Sequence, residues 1–188
     1  MKLIKSTIAI LTSLALFGCS GGPSHLIIAP ELNKPTVVKY HNKQANFKVT
    51  DLRTATHIIQ ILREGEPAQL MTSQKSLSDV INQTLKNEFE KQGLTINQTG
   101  LNHIDIIIDT ALIKVKQETM SYEAKSNISL RVKVNNTQQT LTKTFNSQNS
   151  SSGPLNADIA VLERDFNQQL TNALINILNN IEITQFIK

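Results

Sequence analysis

Two stretches of the chain repeat apolar residues every three or four positions, and several others alternate apolar with polar. Leu77, Val80, Ile81, Leu85 and Phe89 mark one face of a helix. Ser76 or Ser78 supplies its N-cap, and Gly93 stands where a left-handed residue ends a helix. A longer helix is predicted over about 156–180, with Ile159, Leu162, Phe166, Leu170, Ala173, Leu174, Ile177, Leu178 and Ile181 on its buried stripe. The apolar pair Phe186-Ile187 near the end is expected to dock on the body.

Strand signals fill the remainder. Leu26-Ile27-Ile28-Ala29 reads as a first strand stopped by Pro30. Residues 31–45 are polar with Pro35 among them and read as irregular. Residues 46–52 alternate with the period of a half-buried strand, and 57–62 form another, closed by the turn Gly65-Glu66-Pro67. Leu94-Thr95-Ile96 opens an extended piece. The strongest strand signal is 103–117, centred on Ile104 to Asp109. Residues 121–134 follow, then the turn residues Asn135-Asn136 and a strand over 138–147. Residues 149–153 and Pro154 read as a flexible loop. Three successive strands with short connections predict an antiparallel meander with one face toward solvent. The expected fold class is α+β, an antiparallel β-sheet (meander) with two amphipathic helices packed on one face.

The first 18 residues follow a different rule. Lys2 and Lys5 open the chain, an apolar run reaches Phe17, and Gly18-Cys19 follows. A basic start, a short apolar region and a small residue before the processing point describe a secretory signal. The run is shorter than the ~20 apolar residues that span a bilayer. Leu16-Phe17-Gly18-Cys19 resembles the bacterial lipobox, with Phe17 bulkier than that pattern prefers. The resemblance implies a diacylglycerol thioether on Cys19 and cleavage before it. Ser20 follows in place of an aspartate, which in enterobacterial-type sorting implies the outer membrane. The expected organisation is a cleaved signal at 1–18, a lipidated N-terminus and tether at 19–25, and a single periplasmic domain at 26–188.

Composition narrows the function. Cys19 is the single cysteine, so no intrachain disulfide forms and stability must come from the core. Loss of Lys2 and Lys5 with the signal lowers the formal charge from +4 to +2. No Lys/Arg run marks a nucleic-acid partner, and the chain has no Trp. His25, His41, His57 and His103 are too widely spaced for a zinc ligand pair, and read as separate surface or edge side chains. Asp105 and Asp109 would lie ~13 Å apart on one strand face, beyond the spacing of a glycosidase pair, and suit a polar strand face. Asp51 and Arg53 read as a strand-end ion pair, with an anion clamp as the alternative. Ser150-Ser151-Ser152 has no neighbouring base, and Gly21-Gly22 belongs to the tether. G-x-S-x-G, P-loop and dinucleotide signatures are missing from the sequence. No cofactor and no enzymatic activity are expected.

These features together resemble the YajG family of bacterial lipoproteins. The resemblance rests on Leu16-Phe17-Gly18-Cys19, Ile28-Ala29-Pro30, Asp51-Leu52-Arg53, and the helix end Glu90-Lys91-Gln92-Gly93-Leu94. It continues through Tyr122, Lys143-Thr144-Phe145, and Ile183 to Phe186-Ile187-Lys188. Leu94 departs from it, since an aromatic is expected after Gly93. The resemblance implies an envelope lipoprotein and supplies no reaction. The leading expectation is a non-enzymatic interaction or assembly protein, anchored in the outer membrane and facing the periplasm. Its partner would be an envelope protein or peptidoglycan, met by a free sheet edge or the uncovered face. The alternative is a carrier of a lipid or muropeptide in a pocket between helices and sheet.

Overall fold

The computed structural model describes residues 25–32 and 37–187. The signal, Cys19, Ser20 and the tether up to residue 24 lie outside the described residues. The elements are β1 (His25–Leu26), β2 (Gln44–Asp51), β3 (Ile59–Arg63), β4 (Gln69–Ser73), α1 (Leu77–Lys91), β5 (Thr95–Ile96), β6 (Asn102–Gln117), β7 (Ser121–Asn135), β8 (Thr140–Pro154), α2 (Ile159–Leu178) and α3 (Ile181–Phe186).

The sixteen-residue β6 organises the sheet. Along one edge its first half pairs in parallel with β2, from Ala45 beside Asn102 to Asp51 beside Ile108. Its second half pairs in parallel with β3, from Ile59 beside Ile113 to Arg63 beside Gln117. Along the other edge it pairs antiparallel with β7, which pairs antiparallel with β8. β4 is antiparallel to β3, β1 is parallel to β4, and β5 is parallel to β2.

The fold is α+β, but the sheet is curled and mixed, not a simple antiparallel meander. Only β6, β7 and β8 form the expected meander. The reason is the crossover through α1, which returns the chain to the end where β2 began and makes β6 parallel to β2 and β3.

A bulge at Asp109 divides β6, because Ile108 pairs with Leu130 while Thr110 pairs with Ser129. Before it the buried positions are even (Asn102, Ile104, Ile106, Ile108), and after it odd (Ala111, Ile113, Val115, Gln117). One extra residue inverts the alternation, so both halves keep their apolar side chains toward the core. The break between β2 and β3, residues 52–58, lies beside this bulge, where the Leu52 N–H donates to Ile108 O (3.1 Å).

Both helices cover the same sheet face, α1 over β2 and β5, and α2 over β7 and β8, and they touch each other. Phe89 of α1 meets Phe47 and Tyr40 edge-on, with ring centroids 5.7 and 5.9 Å away. Leu162, Phe166, Leu170, Leu174 and Ile177 of α2 complete the core.

Several local expectations change. Residues 149–153 are not a loop: β8 runs to Pro154, with Ser150 opposite Lys125 and Gly153 opposite Tyr122. The long partner β7 supplies ladder bonds that serine and asparagine side chains do not advertise. The predicted 156–180 helix stops at Leu178, and Asn180 caps the short α3 by accepting from the Ile183 N–H. Ile181 is therefore exposed, while Ile183 and Ile187 are buried in its place. β4 was not expected, and the first strand spans His25–Leu26.

Candidate interaction surface

The outer face of the sheet carries the alternate residues of β6, β7 and β8. Beyond the bulge these are Thr110, Leu112 and Lys114, facing Asn127 and Lys125 of β7 and Gln148 and Ser150 of β8. They line an open groove of about 640 Å³. Lys114 stands directly opposite Lys125, like charges whose juxtaposition is unfavourable without an anion between them. Lys125 also pairs with Glu123 (2.8 Å).

β8 is the edge strand. It pairs with β7 alone, so among the described residues no strand lies along its second side. Fifteen residues of Thr, Ser, Asn, Gln and a few others form this edge, with Lys143 its one charged residue. Long edges are usually blunted by charges, prolines or a covering element. Here Gln169 of α2 donates to the Ser147 carbonyl (2.7 Å) and also bonds the Ser126 hydroxyl, while Lys143 pairs with Glu182.

The bulge is braced by Arg53. Arg53 Nη2 pairs with Asp51 Oδ2 (2.7 Å), Nε with Asp51 Oδ1 (2.9 Å), and Nη1 donates to Ala111 O (3.1 Å). The arginine side chain is 6% exposed. Burial pushes the Asp51 carboxyl up, and the hydrogen bonds and charge of Arg53 outweigh it, holding the carboxyl below its ordinary range. The expected strand-end ion pair is thus present. On the outer face Asp109 pairs with Arg131 across the strands (2.6 Å), and Asp105 lies opposite Lys133. Those two aspartates therefore face cations on β7.

The histidines are dispersed. His25 Nδ1 meets Thr72 Oγ1 (3.1 Å), His57 lines a small depression with Arg53 and Asp109, His41 lies in a turn, and His103 opposes Asn135. Among the described residues no three His, Cys, Asp or Glu side chains gather as a metal site.

At the β6–β7 turn, buried Gln117 ties three segments together. Its Nε2 donates to the carbonyls of Glu118 (2.8 Å), Ser121 (3.1 Å) and Leu155 (2.9 Å), and its Oε1 accepts from Ala157 N–H (3.0 Å). Lys116 bonds Glu118 (2.8 Å) and holds that carboxyl below its ordinary range, with help from Ser121. Sequence reasoning missed this network, because a lone glutamine in a strand gives no signal of its partners.

A small cavity between α2 and the sheet, lined by Ile113, Ala124, Leu162, Phe166 and Gln169 among others, measures about 10 Å³. That is roughly the room for one water.

A family model described as uncharacterized lipoprotein, Lipoprotein_16, matches residues 30–188. The chain belongs to this lipoprotein family. The lipoprotein is therefore a membrane-anchored protein of the cell envelope. The family match begins after Cys19. No curated protein matches the lipoprotein's sequence. Among solved structures it resembles a Xanthomonas campestris protein of the family DUF330, with 15% identity and a TM-score of 0.54 over 87% of this chain and 94% of that one. A structure described as an uncharacterized protein matches at 10% identity and TM-score 0.48, covering 75% of the lipoprotein and 93% of that chain. A putative neuraminyllactose-binding hemagglutinin homolog from Helicobacter pylori matches at 10% identity and TM-score 0.43, covering 87% and 92%. The first of these likenesses supports the fold and nothing further.

Proposed function

We propose that the lipoprotein is a non-enzymatic interaction protein of the YajG type, held in the outer membrane by lipid on Cys19 and facing the periplasm. Ser20 in the sorting position favours the outer over the inner membrane. The single observation that carries the interaction reading is the fifteen-residue edge strand β8, which pairs with β7 alone and is met by Gln169 of α2 at Ser147. Such an edge offers main-chain donors and acceptors in register to an extended partner. The partner is an envelope protein or peptidoglycan. The Lys114–Lys125 juxtaposition in the neighbouring groove favours acidic groups on it.

A photo-crosslinking amino acid at Thr144 or Gln148 of β8, compared with Gln83 on the outside of α1, tests this in cells. The expected result is one recurrent envelope adduct, protein or peptidoglycan, from the β8 positions and none from Gln83. Adducts to lipid alone, or equal adducts from Gln83, would overturn it.

A further inference from the structure

The chain enters the domain from the end that carries the β6–β7 turn. β1 runs parallel to β4, with His25 beside Thr72. β4 is antiparallel to β3, and β3 runs parallel to β6 toward the turn. The direction of β1 is therefore away from the turn. The next residues agree: Ile27 N–H donates to Glu163 (2.8 Å) and Ala29 N–H to Asn167 (2.8 Å), one turn further along α2. α2 itself starts at Ile159, shortly after β8 ends with Pro154 opposite Ser121 at that same end.

Reach decides which end meets the membrane. Cys19 lies six residues before His25, a span of at most about 20 Å. Through the strand registers, His25 is level with Leu112 of β6. From there the end of β6 at Gln117 is about 17 Å away and its start at Asn102 about 33 Å away in the opposite direction. A bilayer holding Cys19 is within reach of the turn and out of reach of the far end.

The turn also carries side chains suited to lipid. Met120 is 70% exposed and Leu155 60% exposed, and the Leu155 N–H donates to the Met120 carbonyl (2.9 Å). Leu155 has φ +61°, a left-handed conformation that glycine or asparagine adopts at less cost. A leucine there meets a local penalty and sets an apolar side chain in water. Gln117 fixes the backbone on both sides of the pair. Leu101, 73% exposed at the far end, shows that exposure alone does not choose between the ends.

We propose that the anchored domain stands on the bilayer with its β6–β7 turn down, Met120 and Leu155 entering the headgroup region and the free length of β8 rising away from it. The inference rests on lipidation at Cys19. Met and Leu side chains at a membrane interface gain by leaving water, as on interfacial helices.

The test uses the full lipidated protein in vesicles of phosphatidylethanolamine and phosphatidylglycerol. Met120→Cys and Leu101→Cys variants each carry a polarity-sensitive fluorophore, the native cysteine being blocked by its thioether. Headgroup-level nitroxide lipids are expected to quench the probe at 120 at least threefold more than the probe at 101. Equal quenching, stronger quenching at 101, or no quenching at 120 in protein that floats with the vesicles would overturn the orientation and leave the anchor intact. Protein that fails to float would remove the anchor, and the orientation with it.

Discussion

The Arg53 guanidinium is buried against the Asp51 carboxylate and the Ala111 carbonyl, and so links the strand end of β2 to the first residues of β6 beyond its bulge. Removing one member of a buried ion pair leaves the other charge without compensation. Arg53→Ala is expected to lower stability by about 3 kcal/mol in urea unfolding. The same pair sets an acid dependence. Because the folded-state pKa of Asp51 is lowered, its contribution is complete above the ordinary carboxylate value of about 4. The contribution is lost as pH falls through the lowered value, since protonation then favours the unfolded chain. Thermal unfolding between about pH 5 and pH 2 should therefore show a steeper acid loss in the native protein than in Asp51→Asn. Equal slopes would assign the acid loss to other carboxylates. Adjacency at a strand end made this pair legible in the sequence. The Ala111 carbonyl was not, because it comes from a strand 58 residues away.

At the scale of elements, α1 ends as its sequence announces. Leu94 N–H donates to Phe89 O (3.0 Å) and Gly93 N–H to Glu90 O (2.9 Å), the paired bonds of a Schellman end, with Gly93 at φ +90°. A Cβ on Gly93 would lie 3.0 Å from Val38 Cγ1 and 3.3 Å from Tyr40 O. Gly93→Ala is expected to cost about 1–2 kcal/mol by chemical denaturation, and a neutral result would show that this helix end relaxes freely. The Leu94 that replaces an expected aromatic is buried and fills the position itself. Helices were legible because a stripe at 3.6-residue spacing is a property of the segment alone. Strand partners were not. The parallel pairing of β2 and β3 with β6 depends on where the crossover lands, and the Asp109 bulge swaps even for odd positions without interrupting the apolar run. β4 and the end of β8 hold few apolar residues, and their ladder bonds come from the strand that precedes each of them.

For the whole molecule, a chain of a lipoprotein family presents its sheet edge β8, with no second strand beside it among the described residues, next to an open groove. Its point of entry and the reach of the preceding residues favour the β6–β7 turn as the membrane side. On the proposed reading, anchor, turn and edge have separate tasks: the lipid holds, the turn orients, and the edge meets the partner. All three depend on Cys19, which the sequence marks by position and by being the single cysteine. The measurement that bears on this most directly is radiolabelled palmitate incorporation in cells making the native protein or Cys19→Ala. Label on the native protein and its loss in the variant are expected; equal labelling of both would contradict lipid attachment at Cys19.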